Sequence, residues 1–487
     1  MSRRQLLGLG LVVLWLVPTA VLVHREWGAP VVRTTGDVDA GPSERWLGIY
    51  LAERRVGHAH VVDLPESRDG QDGRSTRITS RLALELMGKP TDLELEGSMW
   101  RTRTPRPTAR LEARLASADT ELAIDATIDE GTLRGTVLSA GERLPIELPL
   151  GADAWLDGGM GTALRFPTLE PGDTVRLESF DLLSMRRSWA RVRCLAIEPL
   201  ALESADGQRV VEARKLEIDQ SGLRTLAWVD GDGEVLRAST PLGLEIRRLD
   251  GPPRDALDAA RPDDLVELSA IRPRGPTPFR GARRLVLKLS GDRLPAVPED
   301  THQQRDADRV VLVGAADAAF DDRRPGAEDQ QADPFVQSDH PEIRSTAQRI
   351  VGAAATAEER AERIHRWVAD ELAKEPVVSV PSALEVLASR RGDCNEHTVL
   401  FTALARAVDL PTRIAIGLVW SDALGGFYYH AWPEVWLDDD GWRRFDPTLD
   451  QEVADATHLK LLEGGIERWP RLLPYLGSLE IEVVEVE

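Results

Sequence analysis

The sequence predicts an α+β protein with an N-terminal membrane anchor, a large antiparallel β-rich domain and a C-terminal domain in which helices precede strands. Three observations carry this. A charge-free apolar run opens the chain, period-two alternation dominates from Trp46 to about Leu249, and helical periodicity takes over after His340. The expected boundaries are 1–27 for an anchor or signal segment, 28–44 for a linker, 45–250 for the β-rich domain, 251–339 for an irregular connecting region and 340–487 for the last domain.

Composition narrows the function classes. Lys and Arg number 60 against 81 Asp and Glu, a net charge of −21 over 487 residues. That balance argues against an unaided nucleic-acid or anionic-lipid binder, which needs a basic surface to displace counterions. The two cysteines, Cys194 and Cys394, are too few for a disulfide scaffold, an iron–sulfur cluster or a four-cysteine zinc site.

Arg3 and Arg4 precede the apolar run from Leu6 to Val23. A positive N-terminal flank keeps that end cytoplasmic and exports the remainder. The run exceeds a usual signal-peptide core of about 7–15 residues. No small-residue cleavage site is evident beside Val21-Leu22-Val23. An uncleaved single-pass anchor in the inner membrane, with the rest extracytoplasmic, is therefore expected; the alternative is a secreted or periplasmic protein after signal cleavage. Gly28 to Pro42 reads as a tether.

Leu82 to Leu86, Leu93 to Glu96, two runs within Thr132 to Leu150, and Trp189 to Ile197 alternate apolar with polar residues, as half-buried strands do. Serial strands with polar turns predict one large sheet, curved or closed. Cys194 falls on the apolar face of its strand and reads as a core residue. In the connecting region, Arg284 to Ser290 reads as one strand, and the acidic Asp317 to Gln337 as a loop and boundary. Beyond it, Thr356-Ala357-Glu358-Glu359 is a capping-box pattern for a helix whose Ile364, Val368 and Leu372 share a face. His365 beside that stripe reads as an ordinary helix residue.

The chemistry concentrates between 392 and 448. In Gly392-Asp393-Cys394-Asn395-Glu396-His397, Asp393 is a candidate N-cap and Glu396 completes a capping box. Cys394 then stands at the first helical position, where free N–H groups and the helix dipole favour a thiolate. Strands follow over Thr412 to Trp420, Phe427 to Leu437 and Trp442 to Asp446. A three-residue loop at Asp438 to Asp440 sets Trp436 opposite Trp442 and makes His430 and Asp446 diagonal neighbours on one face. Cys394 is thus the candidate nucleophile, His430 the base, and Asp446 the group that orients the imidazole. The Cys394 backbone N–H is a candidate oxyanion donor. Trp432 is read either as a shield for this pair or as an ordinary aromatic. Three alternatives stay open: His397 as base, a zinc site of Cys394, His397, His430 and Asp446, and a disulfide between Cys394 and Cys194.

These blocks, with Ala403-Leu404-Ala405-Arg406, Leu410-Pro411-Thr412-Arg413, His430-Ala431-Trp432-x-Glu434-Val435 and Trp442-x-x-Phe445-Asp446-Pro447-Thr448, closely resemble the bacterial transglutaminase-like proteins. The resemblance spans about 340–451. It implies a papain-like α+β transglutaminase core with Cys394, His430 and Asp446 as the triad. No cofactor or metal is assigned, and the expected substrate is a protein or peptide. The expected function is a membrane-anchored thiol enzyme acting on amides through an acyl-enzyme, as protease, amidase or transglutaminase. The alternative is a non-catalytic, membrane-tethered binding or assembly protein. The partner of the β-rich domain is unassigned.

Overall fold

The computed structural model describes residues 41–487 apart from short stretches, the longest being 158–168, 254–268, 315–322 and 376–381. The Leu6–Val23 run, the linker up to residue 40 and the Asp438–Asp440 loop lie outside the described residues. No described helix is long and apolar enough to cross a membrane.

The alternating segments form one sheet of fifteen strands. From the central antiparallel pair Ser43–Leu51 and Leu244–Leu249, each half runs outward through neighbouring strands, to Glu142–Pro149 at one edge and Trp155–Asp157 at the other. Neighbours are antiparallel except the last, where Trp155–Asp157 runs parallel to Thr174–Asp181. Turn chemistry sets the register. Asp69 and Gly70 have φ of 51° and 75°, the left-handed pair that a two-residue hairpin turn requires, between the paired residues Arg68 and Gln71. Cys194 is fully buried among Ala190, Val192 and Leu216, and burial pushes its thiol up. Both cysteines are free thiols, so they form no disulfide.

The remaining chain begins with β1 (Arg284–Ser290), β2 (Gln303–Asp306) and β3 (Arg309–Val313). Four helices follow: α1 (Pro341–Val351), α2 (Ala357–Glu371), α3 (Ala383–Ser389) and α4 (Cys394–Arg406). The last strands are β4 (Thr412–Ser421), β5 (Gly426–Leu437), β6 (Gly441–Arg444), β7 (His458–Glu463) and β8 (Glu480–Val486). They make two four-stranded sheets, ordered β2-β3-β1-β8 and β6-β5-β4-β7.

The strand expected at Arg284–Ser290 is present, and the connecting region adds β2 and β3 beside it, with Leu285, Leu287, Val310 and Leu312 alternating inward. They join one apolar core with Ile343, Ile364, Val399, Leu404, Ile416, Val435 and Ile481. Val336, at the end of the acidic segment, is buried in the same core.

A second layer of contacts is ionic. Arg413 (β4), Glu434 (β5), Arg444 (β6) and Lys460 (β7) form a buried stripe across one sheet, one residue from each strand. Glu434 accepts from Arg413 Nε at 2.7 Å, Arg444 Nε at 3.1 Å and Lys460 Nζ at 2.9 Å. Asp300, ahead of β2, pairs with Lys460 and takes Arg444 Nη2 on both oxygens, at 3.1 and 3.2 Å. Glu463 adds a third carboxylate, 2.7 Å from Lys460. Three cations thus meet three anions, the condition under which buried charge is tolerated.

Candidate active site

The site starts at the N-terminus of α4. The Asp393 side chain accepts from Asn395 N–H at 2.8 Å, and the Glu396 carboxyl reaches back to Asp393 N–H at 2.9 Å. This is the expected capping box, and it fixes Cys394 at the first helical position. Gly392 is needed for clearance: a Cβ there would lie 2.2 Å from the Glu396 Cβ.

α4 docks against β5 through residues one turn apart. Thr398 Oγ1 donates to the Ala431 carbonyl at 3.0 Å, and the Ala431 N–H faces the Cys394 sulfur. β6 pairs with β5 only over Glu434–Leu437, so this part of the β5 edge is free to receive the helix. Tyr429 Oη donates to Asn395 Oδ1 at 2.8 Å and adds a third tie. The thiol therefore reaches the strand beside His430.

The β5–β6 register runs through the pairs Leu437–Gly441, Trp436–Trp442 and Glu434–Arg444, as the three-residue loop requires. The strand stops at Arg444 rather than Asp446, and a turn carries Asp446 onward with its N–H on the Gln451 carbonyl at 2.9 Å. His430 Nε2 donates to Asp446 Oδ2 at 2.8 Å, both residues being buried. The carboxylate is acceptor-only, so this bond holds the proton on Nε2. Nδ1 is buried with no hydrogen-bond partner. Trp432, fully buried, stacks on His430 with centroids 6.1 Å apart and planes at 22°.

The charge state departs from expectation. Burial pushes the Cys394 thiol well up, the Asp393, Glu396 and Asp446 carboxyl groups push the same way, and the Ala431 N–H opposes them only in part. The first-turn position favours a thiolate, but near-complete burial among carboxyl groups outweighs it. These influences favour the thiol over the thiolate. Glu396 is itself pushed well above the carboxylate range by burial and by Asp393.

His397 is placed elsewhere by its bonds. Its Nδ1 lies 2.7 Å from the Asp393 carbonyl, its side chain is buried, and burial lowers its basicity. His365, on α2, is also buried, against Phe445.

One residue of the site went unremarked in the sequence. His458 (β7) lies with Nε2 at 3.0 Å from the same Asp446 Oδ2 that holds His430. The only sequence signal was a polar residue alternating with Leu459 and Leu461, which reads as a solvent-facing position. Both faces of β7 are instead buried.

Among the described residues, two groups of side chains have the compactness of a metal site: His430, Asp446 and His458, and Asp300, Glu434 and Glu463. In the first, hydrogen bonds of 2.8 and 3.0 Å satisfy the carboxylate. In the second, Lys460, Arg413 and Arg444 supply the positive charge. Neither group needs a metal to balance its charge.

Residues 344–447 match the transglutaminase-like superfamily, so the part of the chain bearing Cys394, His430 and Asp446 is a transglutaminase-like core. No curated protein sequence matches the chain. Among solved structures, one described as a "Putative Cysteine Protease" from Cytophaga hutchinsonii is 14% identical, with 44% of this chain and 85% of that one covered, at a TM-score of 0.28. A "Beta-barrel-like Protein" from Brucella abortus, of a domain of unknown function, is 10% identical over 43% of this chain and 96% of its own, at a TM-score of 0.30. A "Putative Protease" from Parabacteroides distasonis is 13% identical over 51% and 66%, at a TM-score of 0.20.

Proposed function

We propose that the chain is a cysteine-dependent enzyme that opens amide bonds of peptides or proteins through an acyl-enzyme. The observation carrying this reading is the His430–Asp446 bond of 2.8 Å on a strand whose next residue, Ala431, turns its N–H toward the Cys394 sulfur. Cys394 Sγ attacks the carbonyl carbon while its proton passes to His430 Nδ1. The oxyanion forms near the first-turn N–H of Cys394, a donor with no intrahelical acceptor. The C–N bond then breaks, the Nδ1 proton goes to the leaving amine, and a thioester remains. Water on that thioester gives hydrolysis, and a lysine amine gives a new amide. Because burial favours the thiol over the thiolate, His430 takes the role of general base for Cys394.

The apolar Leu6–Val23 run and its preceding arginines support a single-pass, inner-membrane protein with an extracytoplasmic catalytic domain. Hydrolysis is the default in that hydrated space, because transfer needs a site that excludes water and holds an amine.

Incubation of the protein with a mixed peptide library, with and without a primary amine, tests the reading by mass spectrometry. Cleavage, deamidation or amine incorporation that disappears in Cys394→Ala supports it. Substrate left intact, with no thioester trapped on Cys394, supports the binding-protein alternative instead.

A further inference from the structure

The Asp446 carboxylate serves two imidazoles, not one. Its Oδ2 accepts from His430 Nε2 at 2.8 Å and lies 3.0 Å from His458 Nε2, while Oδ1 accepts from the Leu449 N–H at 2.9 Å. On its other side, His458 Nδ1 lies 3.2 Å from the Asp455 carbonyl and 3.4 Å from Asp455 Oδ1. Both ring nitrogens therefore face acceptors only. A neutral imidazole has one N–H and one lone pair, and its lone pair would point at an oxygen. The doubly protonated ring satisfies every contact.

Asp455 cannot turn away from this arrangement. Its Oδ2 accepts from Gly281 N–H at 2.7 Å and Gln451 Nε2 at 2.8 Å, and its Oδ1 accepts from Thr457 N–H at 2.9 Å. The Trp432 ring closes the remaining side, edge-on to His458 with centroids 5.1 Å apart. The imidazole is fully buried.

We infer that His458 is a positioning residue for the Cys394–His430 pair: a buried imidazolium that clamps Asp446 and so fixes the carboxylate oxygen that holds His430 Nε2. The inference rests on the triad reading above. Its electrostatic content is simple. The Asp446 charge favours a proton on the Cys394 sulfur, whereas a cation bonded to the same carboxylate oxygen offsets that effect. The two carboxylates hold the His458 ring protonated up to about 9, despite its burial.

Among the described residues, the charged and titratable groups facing this set are few, and His365 and His397 also couple to Asp446. His458 meets Asp446, Asp455 and His430, and its carbonyl takes Arg444 Nη1 at 3.1 Å. His430 meets Asp446, His458 and the Tyr428 ring. Cys394 meets Asp393, Glu396, Asp446, Tyr428 and Tyr429. Removing one cation from so anionic a group makes each nearby proton harder to remove.

The test is the pH profile of Cys394 alkylation by iodoacetamide in the full chain, measured for wild type, His430→Ala and His458→Gln. The glutamine keeps an N–H for Asp446 and loses the charge. The midpoint should move up by about half a pH unit or more, slowing the reaction at pH 7 about threefold or more. A profile unmoved in His458→Gln, with wild type still His430-dependent, overturns the role of His458 and leaves the triad standing. Wild-type alkylation that ignores His430 overturns the triad reading and this inference with it. Should His458→Gln not fold, the imidazole 15N spectrum of wild type at pH 7.5 decides. Two protonated nitrogens on the His458 ring support the inference, and a neutral ring overturns it.

Discussion

At the scale of single residues, placement and charge state have different causes. Backbone bonds place Cys394, and burial among carboxyl groups keeps it a thiol. Cys394→Ala keeps the Asp393 cap, so circular dichroism should be unchanged while turnover disappears. Asp446→Asn should lower kcat by about 10³–10⁴-fold, since an amide can hold the wrong tautomer of His430. His397→Ala should spare alkylation of Cys394 and cost stability, because the ring is buried on the Asp393 carbonyl. The pH dependence of stability follows from two opposite shifts. His458 is raised from 6.5 to about 9, so its contribution is whole below about pH 6.5 and fades as the pH rises through 9. Asp446 and Asp455 are depressed, by their imidazole partners against the cost of burial. Their contribution is whole above the ordinary carboxylate pKa near 3.8 and is lost as the pH falls below it. Melting temperatures from pH 3 to 10 should therefore form a plateau, and His458→Gln should flatten its alkaline side.

At the scale of elements, local chemistry was legible and long-range pairing was not. The Arg284–Ser290 strand, the α4 capping box and the β5–β6 register each follow from residues close in sequence. Their signals are alternation, a cap three residues before its partner, and loop length. Asp300, Glu434, Lys460 and His458 carry no such signal. Each looks like a solvated polar position in an alternating strand or loop, and each is buried by partners 10 to 160 residues away. The same limit hid the ordering of β2 and β3, whose apolar residues need α1, α2 and β8 to cover them. Removing one member of the ionic stripe leaves its partners buried and uncompensated. Glu434→Ala should therefore destabilise by about 3–5 kcal/mol in chemical denaturation, far beyond an exposed charge change.

At the scale of the whole molecule, the apolar core that supports α4 draws on residues well before 340. Leu285, Leu287, Val310 and Leu312 belong to it, and Asp300 neutralises Lys460 and Arg444 beneath it. A fragment of residues 269–487 should fold cooperatively and keep a reactive Cys394, while residues 340–487 alone should fail to show a sharp thermal transition. The N-terminal run makes a separate prediction: the full chain should sediment with membranes and resist carbonate extraction, and a chain starting near Val31 should not. The central claim is that His430 is the base for Cys394. Its most direct test is the second-order rate of Cys394 alkylation at pH 7.5, compared between wild type and His430→Ala. The expected result is a fall of about tenfold or more in the variant, which loses the acceptor for the thiol proton. Equal rates in the two proteins would contradict the account.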